Sequence, residues 1–277
     1  AAAERLRSFG VTAPIEVTAD NAFNFHPDPA DAGLLSRIWP EAAPHGNEAG
    51  PGVVGMALVD FYQWPVVMKP WGPKEDCYKW PYYFTHTPER TQATEALARS
   101  YAALADYMIA NHGKSVALIG MESLDENILR KVHGYMVHPD QARIFCSREY
   151  NASQMVSILR SLELLLTSRY HACVLSLAAQ VPQIAIGHDL RLKTIYRELG
   201  LFEDFFVEPG TDDLYASLYP RVERLLNDPT CMQEALRRGY QEHLSDAQRN
   251  RALLKEFVLA HGLASVPNAA ALHPVTA

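Results

Sequence analysis

The sequence predicts an α/β fold, a Rossmann-like parallel sheet with helices on both faces. Short apolar runs at 116–120, 164–167 and 183–186 have the length of inner strands and are too short for buried helices. Between them lie stretches with helical spacing, such as Leu97, Tyr101, Leu104 and Met108, or Ile128, Leu129, Val132 and Met136. With 277 residues, 48% of them hydrophobic, the chain can bury a full core.

Taken in order, 1–9 reads as the last turns of a helix stopped by Gly10, and 15–18 alternates like a strand. Asp31 is placed to cap a short helix running to Trp39. The stretch 40–52, rich in Pro and Gly and without periodicity, reads as a linker. An apolar strand follows at 53–62. The segment 63–90 interleaves aromatic residues with prolines and reads as a long loop, either an acceptor-binding surface or an insertion packed on its own domain.

From Thr91 the alternation is regular: a helix ending near Gly113, a strand at 116–120, then a helix capped by Asp125. Strands at 143–146, 164–167 and 183–186 alternate with helices at 152–162, 172–180 and 192–199. A short strand at 205–207, a helix at 212–227 and two helical stretches within 232–261 complete the pattern. The expected division is a remnant of an N-terminal lobe with linker at 1–50 and a Rossmann-like C-terminal domain at 51–262, with the aromatic insertion at 63–90. The tail 263–277 is expected to be disordered. The chain opens Ala1-Ala2-Ala3 without Met, already inside a helical stretch, and reads as a fragment.

A formal net charge of −7 leaves no basic excess for a nucleic-acid backbone, so nucleic acid is excluded as the expected partner. Cys77, Cys146, Cys173 and Cys231 are scattered, with no C-x-x-C pair, which fits a reducing cytosol; Cys146 and Cys173 read as core residues. No metal site is expected. No apolar run approaches the ~20 residues that span a bilayer, and no signal-peptide pattern opens the chain. The expected location is cytoplasmic, with peripheral membrane association left open. Neither a G-x-G-x-x-G nor a Walker loop occurs, so no dinucleotide or ATP motif is present.

Chemistry-bearing residues gather where strands should end. Ser168, Arg169, Tyr170 and His171 follow the apolar run 164–166 and open a small-residue helix. Arg offers a planar fork for phosphate or carboxylate, and His exchanges protons near neutral pH. Spacing alone leaves a second reading open, an Arg paired with a core carboxylate and a His at a helix start. After the next strand come Gly187, His188, Asp189 and Arg191: Gly187 permits close backbone approach, Asp189 reads first as a helix cap, and Arg191 adds a cation. Lys69, beyond Asp60, is a further cation placed to face the crevice; Glu122, Asp125 and 148–151 are weaker rim candidates.

The run LLLTSRYHACVLSLAAQVPQIAIGHDLRLKTIYRELGL resembles the polysaccharide pyruvyl transferase family. There an apolar strand leads to S-R-x-H-A, a small-residue helix, G-V-P-x-I-A-I, a Y-D-x-K-like turn and a helix ending in E-L-G-L. These correspond here to 168–172, 181–186, 188–191 and 198–201, and the opening VTAPIEVTADNAF is similar to the family's V-x-x-D-P-A-F passage. The resemblance implies the C-terminal lobe of a fold like the type B glycosyltransferases (GT-B-like), with most of the N-terminal lobe absent.

It also implies transfer of pyruvate from phosphoenolpyruvate to a pair of sugar hydroxyls, forming a ketal in cell-surface polysaccharide biosynthesis. The donor is a substrate, and no cofactor is expected. Arg169 would hold the phosphoenolpyruvate anion and His171 would act as general acid or base. Ser168, Tyr170, His188, Asp189, Arg191 and Lys69 would line the substrates, with a saccharide or lipid-linked saccharide as acceptor. The chain departs from the family where Asp60 stands at a usual Arg-containing turn, with Lys69 as substitute, and where His188 replaces a Tyr. The alternatives are a GT-B glycosyltransferase using a nucleotide sugar and a non-catalytic anion-binding remnant.

Overall fold

The computed structural model describes residues 2–42, 52–63, 66–74, 77–187, 189–210 and 213–261. Most of the expected linker, Trp64, His188 and the expected tail lie outside the described residues. The chain forms two compact units, His26–Gly239 and a smaller one made from Ala1–Phe25 with Tyr240–Ala277.

The smaller unit contains α1 (Ala2–Ser8), a 3-10 turn at Asn21–Asn24 and most of the long C-terminal helix Gln233–Ala260. That helix is continuous where two helical stretches were expected. Residues 15–18 do not form the expected strand. Alternation needs a neighbouring strand to become a ladder, and here Thr18 Oγ1 donates instead to Asn250 Oδ1 at 2.5 Å. The Asn250 amide also donates to the Ala19 carbonyl at 2.9 Å. Phe23 is buried and stacks on His243 with ring centroids 4.9 Å apart.

The larger unit begins with a 3-10 turn, Pro29–Asp31, and α2 (Leu34–Ile38). Asp28 caps the turn, and α2 starts from Gly33 in the left-handed conformation, so the capping role expected of Asp31 is not observed. Asp31 instead accepts hydrogen bonds from α5 (Ala152–Arg160): its carboxylate from Ser153 and its carbonyl from Ser157 at 2.5 Å.

Six parallel strands form the main sheet: β1 (Val53–Ala57), β5 (Ser115–Gly120), β6 (Ala142–Cys146), β7 (Leu164–Thr167), β8 (Gln183–Ile186) and β9 (Phe206–Val207). Their lateral order is β6-β5-β1-β7-β8-β9. The chain builds outward from β1 on one side, then returns to its other side through β7. This is a doubly wound α/β sheet, and its direction reverses at β1 and β7. Five of the strands are buried along their whole length, as expected for strands covered on both faces, and the edge strand β6 is half-buried over its first three residues.

Alternate side chains sort the core. Val53, Ala57, Ala117, Ile119 and Leu165 pack with α2, α5 and α6 (Tyr170–Ser176) through Leu35, Ile158 and Ala172. The opposite layer is built from α3 (Pro88–His112), α4 (Glu126–Tyr135) and α9 (Leu214–Asn227), which pack side by side. The α3 helix ends where Gly113 adopts φ 62°, a left-handed turn that suits glycine. The remaining helices are α7 (Leu190–Glu198), α8 (Phe202–Phe205) and α10 (Gln233–Ala260).

The segment expected to be a long loop forms a small antiparallel sheet: β2 (Val66–Met68), β3 (Cys77–Lys79) and β4 (Tyr82–Phe84), in the order β2-β4-β3. Its prolines lie outside the paired positions, so the ladder survives them. Tyr83 and Phe84 are buried, anchoring the sheet by one strand.

Candidate active site

The crevice of such a sheet lies outside the carboxyl ends of the strands where their order reverses. Here those are β1 and β7, paired in register with Ala57 opposite Thr167. The pairing extends one step further, because the Ser168 N–H donates to the Ala57 carbonyl at 2.8 Å. The chain then leaves the sheet at Arg169, whose N–H donates to Thr167 Oγ1 at 3.0 Å. The Arg169 carbonyl accepts from the same hydroxyl at 2.9 Å and from the Cys173 N–H at 3.1 Å, so it starts α6.

This turn fixes where Arg169 can reach. Its guanidinium extends past the end of β1 to Asp125, beyond β5, with Nε at 3.1 and 3.2 Å from the two carboxylate oxygens. Nη2 bonds the same carboxylate, and Nη1 lies 3.2 Å from Glu122 Oε2. Asp125 is 2% exposed, whereas the Glu122 side chain is 59% exposed. Burial raises the Asp125 carboxyl above its ordinary range, outweighing the pull of Arg169 in the other direction. Asp125 also accepts from the Glu122 N–H at 3.0 Å, closing the short 3-10 turn Ser123–Asp125. The expected cap on α4 is therefore replaced by a cap on that turn and an ion pair with Arg169; the Asp125 side chain makes no cap bond to α4.

Beneath the turn, the buried Ser168 hydroxyl lies near the hydroxyl of Tyr101, a fully buried α3 residue, and among the described residues neither reaches a partner at full hydrogen-bond distance. Burial drives the Tyr101 phenol well above its ordinary range, Ser168 draws it back, and nearby Tyr62 and Asp60 push it further up. The Asp60 carboxylate accepts from Thr94 Oγ1 at 3.0 and 3.1 Å and from the Tyr62 N–H at 2.9 Å. Periodicity marked Tyr101 as core without showing what its hydroxyl meets.

The other predicted residues divide. Tyr170 and His171 make an edge contact, with centroids 5.3 Å apart, and His171 is exposed at the start of α6. Arg191 lies over the Tyr170 ring at 5.0 Å and its Nη2 bonds Asp189 at 2.8 Å, which joins the turns after β7 and β8. Asp189 caps α7 through the Arg191 N–H at 2.8 Å. Burial raises its carboxyl, but the Arg191 hydrogen bonds outweigh this and hold it below the ordinary range. At Gly187 a Cβ would have its nearest neighbour, Leu192 Cδ2, at 3.7 Å, an ordinary contact distance. Lys69 is exposed at the end of β2, its N–H bonded to the Pro81 carbonyl at 2.9 Å. His188 lies outside the described residues.

A groove of about 370 Å³ opens on the α3 side, lined by Tyr62, Glu89, Gln92, Ala96 and Ser100. Hydroxyl, amide and carboxylate groups are represented there, but no Lys or Arg. The Arg169 turn supplies a fixed cation and an exposed imidazole, and the groove supplies uncharged and acidic hydrogen-bonding groups.

No curated protein matches the sequence. Among solved structures, the chain is similar to an α,α-trehalose-phosphate synthase (UDP-forming) from Burkholderia vietnamiensis, with a TM-score of 0.46 and 12% identity over 91% of this chain and 52% of that one. The chain thus spans about half the length of that structure. The family model for polysaccharide pyruvyl transferase matches residues 2–189, a stretch containing Asp60, Tyr101, Asp125, Arg169 and His171. Matched over more than half its length, the chain belongs to the polysaccharide pyruvyl transferase family.

Proposed function

We propose that this chain carries the donor site of a transferase that moves the pyruvyl unit of phosphoenolpyruvate onto two hydroxyls of a saccharide. Family membership supports the reaction class, and the Arg169–His171 turn at the reversal of the sheet is the observation that carries it. His171 gives a proton to the methylene carbon of phosphoenolpyruvate, and one sugar hydroxyl attacks the cationic carbon beside it. The second hydroxyl then displaces inorganic phosphate and closes the ketal. The two hydroxyl protons go to the base form of His171 and to the solvent.

Arg169 holds the donor anion through Nη1, because its other edge is committed to Asp125. The exposed Glu122 carboxylate now beside Nη1 moves aside when the donor arrives. Ser168, Tyr170, Asp189 and Arg191 shape the turns around it, and Lys69 stands exposed on the small sheet. The groove beside Tyr62 receives the acceptor, whose hydroxyls suit Glu89, Gln92 and Ser100. The acceptor is a cell-surface saccharide or its lipid-linked precursor, and the work is done at the cytoplasmic side.

Purified protein given phosphoenolpyruvate and saccharide acceptors should release inorganic phosphate. The variant His171→Ala should lose at least ~100-fold of that release, the usual scale of a general acid. Its melting temperature should be unchanged, because His171 is exposed. Full activity in that variant would remove His171 from the mechanism. A melting temperature raised by a nucleotide sugar and not by phosphoenolpyruvate would favour a glycosyltransferase instead.

A further inference from the structure

The small sheet ends in an apolar tip that the donor chemistry does not use. Met68 is 70% exposed, Trp71 79% and Trp80 70%, and Met68 pairs with the exposed Tyr82 across the ladder. Large apolar side chains so concentrated and so exposed mark a contact surface. Two donors beside them are already matched: the Lys69 N–H donates to the Pro81 carbonyl at 2.9 Å, and the Trp80 indole N–H donates to the Pro70 carbonyl at 3.3 Å. Pro70 and Pro81 have no N–H to satisfy. This part of the tip can therefore leave water without stranding those donors, the requirement for entering lipid.

The flanks suit the same environment. Lys69, Lys74 and Lys79 are exposed around the tip, and lysine stems can lay their methylenes along an apolar surface while the ammonium stays among headgroups. Trp and Tyr prefer that interfacial layer. Over 66–84 the three lysines outnumber Glu75 and Asp76, a net charge of +1 against −7 for the whole chain, so an anionic surface favours this end over the rest. The acids of the segment, Glu75 and Asp76, lie outside the described residues. The only side-chain hydroxyls of 66–84 are phenolic, on Tyr78, Tyr82 and Tyr83, and tyrosine suits the interfacial layer.

We infer that the tip formed by Met68, Trp71, Trp80 and Tyr82, flanked by lysines, docks into the interfacial layer of a bilayer containing anionic lipid. The attachment is weak and reversible, as expected for one small apolar tip aided by a few cations. It is independent of the phosphoenolpyruvate reading, so either can fail while the other stands.

The full chain is sedimented with vesicles of phosphatidylcholine alone and of phosphatidylcholine with phosphatidylglycerol. Wild type should partition at least tenfold more strongly onto the anionic vesicles. Trp71→Ser/Trp80→Ser should lower that partition at least tenfold, and Lys69→Glu/Lys79→Glu should bring it to the neutral-vesicle level, with both melting temperatures unchanged. Wild type remaining in the supernatant, or undiminished sedimentation of both variants, would overturn the inference. So would quenching of the indole fluorescence by neutral oligosaccharides without vesicle binding, which would make the tip a sugar platform.

Discussion

Arg169 is held by carboxylates in opposite circumstances, Asp125 buried and Glu122 exposed. One guanidinium between two carboxylates leaves a local charge of about −1, which opposes an incoming anion. Glu122→Gln should therefore tighten phosphoenolpyruvate binding, by up to about fivefold, since an exposed charge pair is worth at most about 1 kcal/mol. Isothermal titration reads this directly, and weaker binding would mean that Glu122 helps to hold the donor. Asp125 makes a different prediction. Its carboxyl is raised in the folded state, so the native protein holds more protons than the unfolded chain between the ordinary carboxyl range and the raised value. Stability should fall as pH rises through that window, and Asp125→Asn should flatten this part of the curve. Chemical denaturation at a series of pH values measures the slope. These roles were hard to read from the sequence. The Arg–carboxylate pairing was one of two open readings, but Asp125 stands 44 positions from Arg169 and looks locally like a helix cap.

Elements were legible where their pattern answered to one cause. The runs 164–167 and 183–186 are strands at those limits, because three consecutive apolar residues with one polar neighbour, Thr167 or Gln183, fit a strand crossing a covered sheet. Residues 15–18 have a strand's alternation without a partner ladder, and the small sheet has ladders without clean alternation. Pairing is a property of two segments, which a single stretch does not announce. The main sheet can be tested at Gly55, in the middle of β1, where a Cβ would lie 2.4 Å from Leu162 Cδ1 and 3.1 Å from Ile119 Cδ1. Gly55→Val should cost about 1–3 kcal/mol by overpacking, read as a shift in the urea midpoint. At the start of α5, Asn151 and Gln154 form a reciprocal capping box at 3.0 Å each way, and Asn151→Ala should cost about 1 kcal/mol in the same assay.

In the larger unit, the strand order explains why the candidate site lies where it does. One half of the sheet, β1-β5-β6, supplies Asp60, Glu122 and Asp125; the other, β7-β8-β9, supplies Ser168, Arg169 and His171. The regular alternation of strands and helices made the parallel sheet predictable. The same pattern did not reveal that Tyr101 would lie beneath Ser168, because the α3 periodicity records burial and not the partner of a hydroxyl. A donor bound at this seam should raise the melting temperature with the logarithm of its concentration, by about 2.7 kcal/mol of stability at a hundredfold excess over the dissociation constant. Differential scanning fluorimetry with phosphoenolpyruvate checks it, and Arg169→Ala should abolish the shift.

The ion pair across β1 also bears on the order in which the protein is made. Asp125 leaves the ribosome before Arg169, so a nascent chain that has built β1, β5 and β6 has a carboxylate headed for burial and no guanidinium to meet it. Leaving that charge buried and unpaired would cost several kcal/mol, so until Arg169 is available the carboxylate should stay in water or take up a proton. A chain stalled before residue 169 lacks the guanidinium that meets Asp125, and on the proposed function a donor analogue added during synthesis would favour chains that have passed that point.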